Sequence, residues 1–169
     1  TLVHNGTNAS SAVTTSAGTK LLGVGSTAAT TVNGEIDPGA AVSKVGRLSM
    51  ASLTLRPSSS IRVTITNATA SAGVNQDLIN CVGTLTVNAT VGGGECVIIP
   101  DTLAKTPANF SSSSAYTWKI ISAGGLSGFE VAKFTVSTAS FAPSLAGGYF
   151  VVTSVGNDVY LKFFPAGDA

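Results

Sequence analysis

The sequence predicts an all-β protein, on three observations. Apolar and polar residues alternate with period two, most plainly in Ile61-Arg62-Val63-Thr64-Ile65-Thr66, the spacing of a half-buried strand. Such segments are separated by clusters of Gly, Pro, Ser and Asn, as in Pro57-Ser58-Ser59-Ser60 and Gly92-Gly93-Gly94, which break chains into short strands. No segment between them carries the 3.6-residue period of an amphipathic helix.

The chain of 169 residues suffices for one domain with a real core. Charged residues make up 10% of it, with nine basic and eight acidic side chains and a net charge of +1, where about a quarter is usual. Neither sign forms a block, so the basic footprint of a nucleic-acid binder is missing. Near-neutrality also weakens repulsion between copies. No apolar run reaches the length of a membrane-spanning helix.

Two regions are expected: an extended N-terminal arm over residues 1–29 and a single all-β domain over 30–169. The arm is rich in Gly, Ala, Ser and Thr. Its spaced apolar residues Leu2, Val3, Val13, Leu21, Leu22 and Val24 suit a segment that adds a strand to a neighbouring sheet edge; a flexible leader is the alternative. A strand over Thr31 to Ile36 should end at Asp37-Pro38-Gly39, a turn signal. Leu48 to Leu55 and Ile61 to Thr66 follow as strands, then a turn over Asn67 to Asn75. Leu78-Ile79 with Leu85, Val87, Ala89 and Val91 resumes the alternation. Cys96 to Pro100 reads as a buried strand and 101–115 as the longest break. Tyr116 to Ile121 opens the second half, with a turn at Gly124-Gly125 through Gly128 and a strand over Phe129 to Val136. Val151-Val152 and Val159 to Phe164, around Val155-Gly156-Asn157-Asp158, predict a closing hairpin. The aromatic residues crowd into the last third, where core packing is the leading expectation.

Chemistry-bearing residues are few. Cys81 and Cys96 are expected to form a structural disulfide in an oxidising compartment, with two buried free thiols as the alternative. Sequons begin at Asn5, Asn8, Asn67, Asn88 and Asn109, candidate sites of glycosylation. His4 is the one histidine, and no Gly-x-Ser-x-Gly elbow accompanies it. Asp37, Asp77, Glu95, Asp101, Glu130 and Asp158 are the acids a carboxylate-only glycosidase would use, each of which also reads as a turn or solvated strand residue. The triple glycine lacks the Lys and helix of a phosphate loop. No catalytic residue, metal site or cofactor is expected, and calcium at the turns is left open.

Three pieces resemble the repeat region of autotransporter passenger domains and related bacterial surface proteins. They are Ile36-Asp37-Pro38-Gly39 with Leu48 to Leu55, then Asp77 to Val87, then Tyr116 to Ile121 with Gly128-Phe129 and Tyr149 to Leu161. Passengers run longer, rarely hold a cysteine pair and precede a membrane barrel. The resemblance implies a β-solenoid, a parallel β-helix of roughly six coils at the usual strand spacing, closed by the C-terminal hairpin; a β-sandwich is the runner-up. Sparse charge and the apolar-spotted arm add a functional expectation. The chain would be a structural subunit of a self-assembling extracellular filament or surface layer, joined to copies of itself by N-terminal strand addition. The alternative is a cell-surface adhesin module that binds glycan or host protein, with a carbohydrate-active enzyme third.

Overall fold

The computed structural model describes residues 1–8, 10–39 and 45–168. The strands are β1 (Leu2–Val3), β2 (Thr7–Asn8), β3 (Val13–Thr15), β4 (Lys20–Gly23), β5 (Ser26–Val32), β6 (Glu35–Pro38) and β7 (Arg47–Leu55). After them come β8 (Ser60–Thr64), β9 (Leu78–Val87), β10 (Cys96–Asp101), β11 (Tyr116–Ser127), β12 (Phe134–Val136), β13 (Tyr149–Val155) and β14 (Asp158–Phe164). Among the described residues, helix is confined to short 3₁₀ turns at Val131–Lys133 and Thr138–Ser140. The protein is all-β, and none of its described helices is long and apolar enough to cross a membrane.

The strands form two sheets. Sheet A has the order β1-β4-β6-β8-β10-β12, and sheet B the order β13-β14-β11-β9-β7-β5-β2, with β3 also on β5. From β3 to β13 the chain changes sheet at every strand. Up to β12, each new strand lies parallel to the previous strand of its own sheet, as β8 does on β6, β9 on β7 and β10 on β8. Only the final pairs, β14 on β11 and β13 on β14, are antiparallel.

Alternation in the sequence explains why the two sheets face each other. Parallel registry puts like residues above one another, so inward positions form apolar ladders. In sheet A, Leu2, Leu21, Ile36, Ile61, Ile98 and Val136 are in register. Sheet B aligns Leu48 with Ile79 and Ile121, and Val32 with Leu55 and Val87. Leu21, Ile36, Ile61, Leu55 and Ile98 are fully buried. Each such side chain contributes about 1.5–3 kcal/mol by leaving water.

Two turn expectations are corrected. Asp37 and Pro38 finish β6, with Gly23 opposite Pro38, and the bend begins at Gly39 (φ 87°). Gly124 and Gly125 lie inside β11 rather than in a turn. There the register shifts between Ala123 and Gly125 against β9, and β9 shifts likewise against β7 between Met50 and Leu53. A Cβ on Gly124 would stand 2.2 Å from the Val82 carbonyl oxygen, and one on Gly83 2.6 Å from that of Ala51. The glycines thus mark stacked bulges where backbones close in, a role that sequence alone cannot separate from a turn. The strand expected over Phe129 to Val136 is shortened to β12, its first half being the 3₁₀ turn.

The closing hairpin forms as expected, with Val155 opposite Asp158. Beneath it an aromatic group fills the space between the sheets. Trp118 stacks on Tyr116 at 5.4 Å, and Phe141 meets Phe110 and Phe150 edge-on at 5.2 and 5.1 Å. Phe163 packs on Phe150 at 5.2 Å. Trp118 and Phe163 are fully buried and Phe134 and Phe141 nearly so, so these rings are core.

Candidate functional site

The residues expected to form an arm are strands of the chain's own sheets. Val13 and Leu21 are buried, and Leu22 and Val24 are half-buried. A free donor segment would have to strip them from the core. Leu2 and Val3 differ, at 47% and 49% exposed. They form β1, the edge of sheet A, whose only partner strand among the described residues is β4.

That edge lacks the usual protection. Natural edge strands carry charges, prolines or bulges that discourage pairing with other chains. The terminal strands here read Leu-Val, Thr-Asn, Val-Thr-Thr, Phe-Thr-Val and Tyr-Phe-Val-Val-Thr-Ser-Val, without a charge or proline. His4 tightens the corner behind β1: its Nε2 donates to the Ser26 carbonyl at 2.8 Å, and its backbone N–H donates to Leu22.

A cluster of charges lies instead on the outer face of sheet A. Arg62 lies 3.1 Å from Glu35, 2.8 Å from Asp101 and 3.8 Å from Asp37, and Lys20 pairs with Glu35 at 2.8 Å. Burial raises the Glu35 pKa, but the hydrogen bonds from Lys20 and Arg62 outweigh it and hold the carboxyl below its ordinary value. Asp37 has no such direct donor: burial pushes it up to about 6, against the pull of Arg62. Asp77, just before β9, is buried as well. It accepts the N–H groups of Gly46 at 2.8 Å and Thr64 at 2.7 Å, yet burial takes it up to about 7. It thereby ties the starts of β7 and β9 to the end of β8, a role that a lone Asp before a strand does not announce in sequence.

Glu95, Glu130 and Asp158 each have a local partner. Glu95 accepts the N–H groups of Gly92 and Gly93, so the triple-glycine turn holds an anion after all, its own neighbour's carboxylate. Glu130 pairs with Lys133 at 3.0 Å and Asp158 with Lys119 at 2.7 Å. Among the described residues no three His, Cys, Asp or Glu side chains converge on a common metal position.

The disulfide expected between Cys81 and Cys96 is absent, and both are free and buried. Cys81 is in β9 of sheet B beside Met50 and Ala123, whereas Cys96 is in β10 of sheet A beside Phe134. Facing sheets stand about 10 Å apart, beyond the roughly 7 Å Cα separation a disulfide tolerates. Between Cys81 and Cys96 the chain passes from sheet B to sheet A. Burial pushes the Cys96 thiol up to about 12 and raises that of Cys81. Both thiols should therefore resist an aromatic disulfide reagent in native protein and react together once guanidinium unfolds it; stoichiometric labelling before unfolding would contradict this.

The sequon asparagines scatter. Asn5, Asn88 and Asn109 are exposed, while Asn8 and Asn67 are half-buried. Asn67 and Asn109 meet at a turn, where the Asn67 Oδ1 accepts from the Asn109 amide at 3.1 Å and from Thr69. No protein-family model and no curated protein matches the chain.

Proposed function

We propose that the chain is a β-solenoid module of an extracellular filament or surface layer, which joins further copies of itself through its open sheet ends. One observation carries this reading. The interior ladder of sheet A runs through Leu21, Ile36, Ile61 and Ile98, all buried, and terminates at Leu2, which is exposed. Leu2 has the side chain of an interior rung, and among the described residues no further rung covers it. A further coil laid on β1 would bury it and pair the free backbone edge.

The opposite end offers strands of matching sense. Because β14 is antiparallel to β11 and β13 antiparallel to β14, β13 runs in the same direction as β11. Sheet A ends on β12, parallel to β10. Head-to-tail stacking of one copy's β1 and β2 on another's β12 and β13 therefore preserves strand direction, and such contacts extend without closing. This differs from donation of a long arm, since residues 13–24 stay within their own subunit. The passenger-like resemblance and the low charge support the same surface role.

Light scattering and negative-stain microscopy of concentrated protein test it. Leu2→Lys/Val3→Lys is expected to abolish assembly with unchanged circular dichroism, because both side chains are half exposed. Wild-type protein that stays monomeric, or a variant that assembles equally well, rejects the reading.

A further inference from the structure

A second feature lies on the outer face of sheet B, away from the sheet ends. A groove of about 490 Å³ runs there between the strands and the loop that precedes β9. Its floor is set by strand registry: Asn80 of β9 lies between Ser49 and Ser122 in parallel pairs, and Lys119 of β11 is opposite Tyr160 of the antiparallel β14. Arg47, at the start of β7, stands at one end, and Ala70, Ser71 and Gln76 form the wall.

The wall is held in place. Gln76 donates through Nε2 to the Lys119 carbonyl at 2.6 Å, Thr66 N–H to Asn75, and Gly73 N–H to the Gln76 carbonyl. The groove therefore exists before any ligand arrives, which spares binding the cost of ordering the loop. Its volume falls in the range of small-molecule sites, roughly 300–1,000 Å³.

Its chemistry is mixed in a particular way. Lys119 is neutralised by Asp158 and lies 5.8 Å from the centre of the Tyr160 ring. Arg47 is exposed and has no ion-pair partner among the described residues. One unpaired guanidinium fork matches one carboxylate. Between it and the tyrosine are Asn80, Ser122 and Thr117, side chains that exchange hydrogen bonds with hydroxyl groups. An aromatic ring at one end, hydroxyl partners along the floor and a single free guanidinium fit one class of ligand.

We propose that this groove binds a short saccharide bearing a carboxylate: Arg47 pairs with the carboxylate, the polar floor takes the hydroxyls, and Tyr160 packs against a sugar face. The site is independent of assembly, since stacking at the sheet ends leaves the outer faces of the sheets open.

Isothermal titration with a mannuronate trisaccharide tests this, with mannotriose, which lacks only the carboxylates, as its neutral counterpart. Saturable binding of the acidic trimer at millimolar or lower concentration is expected, with at least tenfold weaker binding of mannotriose. Arg47→Ala should reduce affinity for the acidic trimer tenfold or more, and Arg47→Lys should recover part of it. Tyr160→Ala should weaken both sugars, each variant being first checked by circular dichroism for an intact fold. Absence of saturable binding, equal affinity for the two sugars, indifference to Arg47→Ala, or full competition by an equal concentration of inorganic sulfate would each overturn the proposal. Loss of assembly would leave these readouts unaffected, so the two readings fail separately.

Discussion

Moving the protein from pH 8 to pH 5 is expected to stabilise it, by on the order of 3 kcal/mol. The cause is the pair of buried carboxyls, Asp37 pushed up to about 6 and Asp77 to about 7, against an ordinary value of 3.8. A group whose pKa is raised by folding binds its proton more tightly in the native state. Its stabilising contribution is therefore complete below the unfolded pKa and disappears as the pH rises through the folded one. For these residues the window runs from about pH 4 to about pH 7. Glu35 and Asp158 act with the opposite sign: ion pairs and hydrogen bonds hold both below their ordinary values, so their contribution is lost as pH falls below about 4. Urea melts across pH 3–8 should consequently peak between pH 4 and 5. Asp37→Asn removes one of the two raised groups and should flatten the limb between pH 5 and 7, with stability at pH 8 equal to or above wild type. A melt profile that falls steadily from pH 8 to pH 5 would contradict the burial argument.

Trp118→Ala should cost about 3–5 kcal/mol, the range for deleting a large buried aromatic side chain. Trp118 is 1% exposed, stacks on Tyr116 at 5.4 Å and donates its indole N–H to the Ala68 carbonyl at 3.0 Å. Deletion leaves a void among the rings beneath the closing hairpin and orphans that carbonyl, which adds to the loss. Because the loss falls on the junction of β11, β14 and the loop over 66–77, the hairpin should loosen first. Amide exchange in β13 and β14 should rise more than in β5 and β7. Trp118→Phe keeps most of the packing and removes the hydrogen bond, so a deficit of about 1 kcal/mol is expected. Trp118 is the one tryptophan of the chain, and its emission in the wild type should be that of a buried indole, shifting to the red in a single step on unfolding. A Trp118→Ala variant as stable as wild type would show that the aromatic group is not what holds this end together.

The sequence by itself determined the all-β class and, for strands such as β8 and β14, the inward face; the strands within residues 1–29 and the full length of β11 were not legible in it. Ile61, Val63 and Ile65 are buried while Arg62 and Thr66 face outward, because a period of two allows no other assignment once one face is covered. The hairpin around Gly156 was legible for a similar reason: its partners are adjacent in sequence and its turn residues are local. Which sheet each strand joins was decided only by the tertiary structure. A parallel partner lies far along the chain, beyond a strand of the other sheet, and that offset is not fixed: Lys20 pairs with Glu35, Glu35 with Ser60, and Cys96 with Phe134. No local signal states it. The Cys81–Cys96 expectation failed for this reason, since the chain crosses from sheet B to sheet A between the two cysteines. Gly124 was misread because a bulge and a turn call for the same residue, and only the carbonyl of Val82 beside it tells them apart. The groove of Arg47, Asn80, Lys119 and Tyr160 was equally invisible, its members spread over four strands that only registry brings side by side.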